Sequence, residues 1–208
     1  MKTLLSALVL SFPLALAQPC EDSAPAPASV ALGEICERPL DFLGQRLRVV
    51  FQVQSRPTTW NPYVTRFSSA SHNALSVWGD EQLLWHAGEY ERPLALLFAR
   101  RGRTPARFCA EAKPYDRFAA VVHVRQVFLG RPWIEIERIH PLEQRLTEGT
   151  VLHAARAVTL MGNKEWSLAR ADIDRARVGQ LPEHVAGALD ELARECDLRL
   201  EALRAKSR

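Results

Sequence analysis

The sequence predicts an α+β protein: a small β-barrel followed by a C-terminal helical hairpin plus one further helix. Three observations carry this. Apolar and polar residues alternate with a period of two along 45–54 and again along 133–139, as half-buried strands require. The connections between such runs are rich in Pro, Gly and Arg, which punctuate sheets. Beyond Pro141 the apolar spacing lengthens to steps of three and four, the repeat of an amphipathic helix.

The 208 residues are 47% hydrophobic and 25% charged with a formal net charge of +3. That composition excludes a disordered chain, a collagen-like fibre and a polytopic membrane protein. Residues 1–17 have the pattern of a secretory signal peptide. Lys2 precedes an apolar run from Leu4 to Leu16, and Ala15-Leu16-Ala17 supplies small residues for cleavage. Pro13 interrupts that run, which is shorter than the roughly 20 residues needed to span a bilayer. The expected location is therefore outside the cytoplasm, in the periplasm. Residues 18–32 read as a flexible leader because Pro19, Pro25 and Pro27 fall among Ala, Ser and acidic residues.

The body of the barrel is expected over 33–142. One or two helical turns run from Leu32 toward Pro39, and Gly44 ends them. Leu47, Val49, Phe51 and Val53 then share the buried face of a first long strand. Residues 56–73 read as a loop with a short strand at Val64–Phe67. A strand comes next at Ala74–Trp78, the stretch Glu81–Tyr90 stays ambiguous, and Leu94–Phe98 is apolar enough for a core strand ending at the basic turn Arg100–Arg103. Phe118–Phe128 and Trp133–Ile139 form a hairpin around Leu129-Gly130-Arg131-Pro132.

The run Pro39-Leu40-Asp41-Phe42-Leu43-Gly44-Gln45-Arg46-Leu47-Arg48-Val49 resembles the opening of bacterial OB-fold domains. Tyr115 to Val124 followed by Gly130 to Ile139 resembles their closing hairpin. The residues themselves give five or more strands in a small β-barrel or curled sheet; the likeness implies an OB-like barrel and names no catalytic residue. Over 143–208, three apolar stripes fit three helices. The first two resemble a tetratricopeptide unit through Ala157, Leu160, Lys164-Glu165-Trp166-Ser167-Leu168-Ala169, Ile173, Ala176 and Pro182. A lone unit cannot stack into a solenoid. It can dock on the barrel, pair with another chain, or be a plain three-helix bundle.

Chemistry is sparse. There is no nucleophile elbow, zinc-protease helix, phosphate-cradling glycine loop or calcium loop, so no enzyme, metal or cofactor is expected. The six histidines are scattered, and Glu135 and Glu137 read as surface alternation. In an oxidising compartment the four cysteines allow three complete pairings. Cys36 with Cys109 is preferred inside the body of the fold, because Cys20 lies in the leader. The most ligand-like segment is aromatic and basic: Trp60, Tyr63, Arg66 and Phe67, ahead of Trp78 and Trp85. OB-like barrels bind extended ligands with such groups. The β-region carries 15 basic against 11 acidic residues from Glu34 to Leu142, a bias too mild for nucleic acid. The expectation is an exported, non-catalytic binding or scaffolding protein acting through a protein partner in the envelope. The alternative is a ligand-binding barrel for an oligosaccharide or small anion.

Overall fold

The computed structural model describes residues 26–61 and 65–206. The expected signal peptide and Tyr63 lie outside them. Five strands close into a barrel: β2 (Arg46–Ser55), β3 (His72–Gly79), β4 (Ala95–Arg100), β5 (Arg117–Phe128) and β6 (Arg131–Leu142). Their order is β2-β3-β4-β6-β5, and β5 pairs back onto β2. All pairings are antiparallel except β4 with β6, which run parallel. A two-residue strand, β1 (Ala28–Ser29), lies parallel to the start of β2. The segment expected to be a free leader therefore joins the fold from Ala28.

Closure depends on β2 serving two neighbours. Residues 46–52 pair with β5, while 51–55 pair with β3 across a bulge between Val53 and Ser55. A bulge bends a strand and sharpens its twist. Leu47, Val49, Phe51 and Val53 point inward, as the period of two requires, and join Leu75, Val77, Leu97, Ala99, Val122, Val124, Ile134 and Ile136 in one apolar core. Leu129 and Gly130, both at positive φ, make the two-residue turn of the β5–β6 hairpin.

The two ends of the barrel are plugged by helices. From α1 (Leu32–Glu37), Leu32 and Ile35 enter the core. At the other end, α3 (Thr104–Glu111) inserts Ala106 and Cys109, and is tied to β3 by Asn73 Nδ2 donating to the Ala106 carbonyl at 2.9 Å. Sequence patterning does not disclose α3, and it places a strand at Val64–Phe67 where the described part, Thr65–Phe67, is loop. A short helix, α2 (Ala87–Tyr90), resolves the ambiguous stretch after β3.

The preferred Cys36–Cys109 bond is not formed; both are free thiols. Cys36 faces the Leu94 carbonyl at 3.7 Å, at the α1 end, whereas α3 is held beside Asn73, which pairs with Ala99. Five residues of strand separate those levels, about 16 Å at 3.3 Å per residue, and a disulfide needs Cα atoms within about 7 Å. Burial pushes Cys36 up to about 11 and Cys109 up to about 12, so neither is a ready thiolate.

The helices α4 (Glu148–Gly162), α5 (Trp166–Ala176) and α6 (Glu183–Lys206) pack in sequence, α4 on α5 and α5 on α6. Thr147 caps α4 by accepting from the Thr150 amide at 3.1 Å. This segment shares a second apolar cluster with the outside of the barrel, where Trp78, Leu84 and Trp85 meet Leu146, Val151, Ala154, Ile173, Val185 and Leu189. Trp78 lies between Tyr90 and Tyr115, with ring centroids at 5.3 and 5.7 Å. The Arg117 guanidinium grips Asp80 with two bonds of 2.6 and 2.7 Å and reaches the Gln144 carbonyl at 3.2 Å. Among the described residues, no helix is long and apolar enough to cross a membrane.

Between α4 and α5, the fully buried Asp172 accepts from Arg156 at 2.6 Å and Arg175 at 2.9 Å, with His153 at 3.3 Å. Burial alone raises its pKa, but Arg175, Arg156 and His153 outweigh that and hold the carboxyl below its usual range. Because the native pKa is depressed, the stabilisation is complete above the unfolded value near 3.9 and is lost as pH falls through the native one. Replacing Asp172 with Asn should lower stability by about 1–2 kcal/mol at neutral pH, the worth of its charged hydrogen bonds with solvent-exposed arginines. The gap between the thermal melts of the two proteins should begin to narrow below about pH 4 and keep closing as pH falls toward the native value; a gap that stays constant down to about pH 3 would show that the fold does not depress the Asp172 carboxyl.

Candidate functional site

Since the barrel interior is filled with side chains, chemistry has to sit on its outer surface. Two features meet there. The first is a band of rings. Phe98 on β4 points outward and is covered by Trp60 and Phe67, with centroids at 5.4 and 4.7 Å. Phe67 also meets His72 at 4.6 Å and Trp133 at 6.3 Å, and Trp133 meets Phe128 at 5.8 Å. Trp60 donates its Nε1 hydrogen to the Phe67 carbonyl at 2.5 Å, which folds the segment before β3 down onto the sheet. Of the residues singled out from sequence, Trp60 and Phe67 are thus together and half-buried, and Arg66 between them is exposed. Trp78 and Trp85 belong to the seam with the helices instead.

The second feature is a charged cleft of about 700 Å³. It arises from the β4–β6 junction, which holds only two residue pairs, Leu97 with Ile134 and Phe98 with Glu135. Beyond these the parallel strands separate. Arg100, Arg103, Thr104 and Pro105 line one side, from the end of β4 into the first turn of α3. Glu135, Glu137, Arg138 and His140 of β6 line the other, with Arg46 and Arg125 beside them and Ile136 and Ile139 also lining it. Arg103 caps α3 through its backbone alone, with no side-chain hydrogen bond.

Two carboxylates organise one wall. Glu137 meets Arg46 Nε at 3.0 Å and His123 Nδ1 at 3.3 Å, while Glu135 accepts from Arg125 Nε at 2.6 Å. Arg125 Nη2 lies 3.6 Å from Glu137 and links the two. The pair that reads from sequence as mere surface alternation is therefore the hub of an ionic network. Arg100, Arg103 and Arg138 form no ion pair among the described residues. Five guanidinium groups against two carboxylates repel one another. Exposed ion pairs return little stability, so folding gives no reason to gather them.

The two features are contiguous. Phe98 pairs with Glu135 and His72 with Arg100, so the ring band borders the cleft. Burial lowers the His72 pKa, opposed by Glu135 and reinforced by Arg100, and its ring packs at a tilt against Phe67. Among the described residues there is no cluster of side chains able to hold a metal ion. The chain matches no protein-family model and no curated protein sequence.

Phe98 anchors the ring band, and truncating it tests the arrangement. Phe98→Ala should cost about 3 kcal/mol, and should speed tryptic cleavage after Arg66, because the segment carrying Trp60 and Phe67 loses its base. Thermal denaturation and timed digestion read the two effects. Cleavage at the wild-type rate would mean that Phe98 does not hold the segment.

Proposed function

We propose that this protein is an exported, non-catalytic binding module whose ligand site is the outer strip of the barrel formed by the ring band and the arginine cleft. The observation that carries this reading is the gathering of five arginines in one cleft beside a wall of aromatic rings. The strand order and the single parallel junction suit an OB-like barrel. Such barrels bind extended ligands across their second and third strands and the loops before the second and fifth. Those places here are β3, β4, the segment carrying Trp60 and Phe67, and the Leu129-Gly130 turn. The filled core supports an external site over an enclosed one.

Within the ligand classes, charge favours an anion or an acidic oligosaccharide over a neutral stacking ligand. Phe98 and Trp133 are almost completely covered, so few ring faces are open to a base or sugar. Export rests on the sequence pattern of residues 1–17.

A protein partner on the tetratricopeptide-like helices is the second reading. Its support is the exposure of Leu198 and Leu203 along α6, apolar side chains left facing outward on the last helix.

Tryptophan fluorescence tests the first reading directly, because Trp60 and Trp133 border the cleft. Titrating the protein with a panel of neutral and acidic oligosaccharides and small anions should give a saturable change for the acidic members, and Trp60→Phe should remove much of the signal. A flat response across the whole panel would overturn it.

A further inference from the structure

Resting on the binding-module reading, a narrower conclusion concerns the ligand's chemistry. We infer that the cleft between the end of β4, the start of α3 and β6 takes adjoining phosphoryl groups. Glu135 and Glu137 are already engaged by Arg125 and Arg46. Three guanidinium groups remain uncommitted: Arg100 and Arg103, from the end of β4 and the turn into α3, and Arg138, from β6, meet in one cleft.

A carboxylate brings one charge and two oxygens and fills a single guanidinium fork. A phosphate monoester brings about 1.5 to 2 charges and three acceptor oxygens. Two adjoining phosphoryl groups therefore match three uncommitted forks in both charge and oxygen count, which a single carboxylate does not. The residue type agrees: apart from His140, every basic side chain lining the cleft is arginine, whose planar fork fits phosphate oxygens in pairs.

The same chemistry occurs in free phosphate chains and in phosphorylated lipid headgroups. Calorimetry on the full chain with inorganic phosphate, pyrophosphate, tripolyphosphate and sulfate covers the first source. Flotation with phosphatidylcholine vesicles, with and without phosphatidylinositol bisphosphate, covers the second. Tripolyphosphate or the bisphosphate vesicles should bind at least tenfold more tightly than inorganic phosphate or sulfate. Arg100→Ala, Arg103→Ala and Arg138→Ala should each weaken that binding about tenfold, while Arg194→Ala on α6 should not change it. Arg100→Lys and Arg138→Lys keep the charge but lose the fork, and should weaken binding as well.

Binding confined to the soluble phosphates or to the vesicles assigns the source and supports the inference in either case. Equal affinity for phosphate and tripolyphosphate overturns it, as does wild-type binding by the lysine variants. If acidic oligosaccharides quench Trp60 while no phosphate compound binds, the inference fails and the binding-module reading stands. If neither class binds, both fall.

Discussion

The constraint on which the rest depends is the double pairing of β2. One strand meets β5 along its first seven residues and β3 along its last five, and only a coiled strand can do both. That coiling turns a sheet into a closed barrel and leaves no edge along β2. Closure forces the alternate residues from Leu47 to Val53 into a space just wide enough for side chains, so the interior is full. It also brings β4 alongside β6 in parallel. The two have contrary destinations: β4 ends in the plug helix α3, and β6 runs on toward the C-terminal helices. They part after two residue pairs, and the cleft is the space they leave.

The outer face of the same barrel is divided by burial. On one side Trp78, Leu84 and Trp85 are sealed by the helices, and the Asp80–Arg117 pair closes the seam with a bidentate contact. Gln52 is caught in this division. It points away from the core, has no exposed surface, and neither polar atom of its amide has a partner among the described residues. On the other side nothing from the helices covers Arg100, Arg103 or Arg138, which are exposed. Helix docking thus uses the barrel's apolar outer surface for rigidity and leaves the arginine-lined cleft open.

How much of this is legible in the sequence depends on the range over which each signal acts. Alternation in β2 and the helical stripes after Pro141 are local, and each produces the element expected of it, while the turn expected over Leu129–Pro132 closes in two residues and leaves Arg131 and Pro132 in β6. The helix α3 is hidden because Arg100-Arg101-Gly102-Arg103 reads as a turn and masks the helix start just beyond it. Its signal is nevertheless present in Pro105 at the helix start and in Ala106, Cys109 and Ala112 at steps of three. The pairing of Cys36 with Cys109 fails for the opposite reason, since distance across a barrel has no sequence signature. The cleft gathers residues from 46 to 140, and no window contains enough of it to be read.

The aromatic segment shows where composition misleads. Trp60, Phe67 and Arg66 look from sequence like a site with rings ready to stack on a ligand. In the fold the rings are occupied with each other and with Phe98, and Trp60 uses its one side-chain hydrogen-bond donor on the Phe67 carbonyl. Their contribution is to hold one wall next to Arg100 and Glu135 and to exclude water from that border. A stacking platform must present an open face. A wall of packed rings instead lowers the local dielectric and strengthens a neighbouring charge contact. On the binding-module reading, recognition therefore passes from the aromatic residues to the guanidinium groups beside them, and the rings act by position.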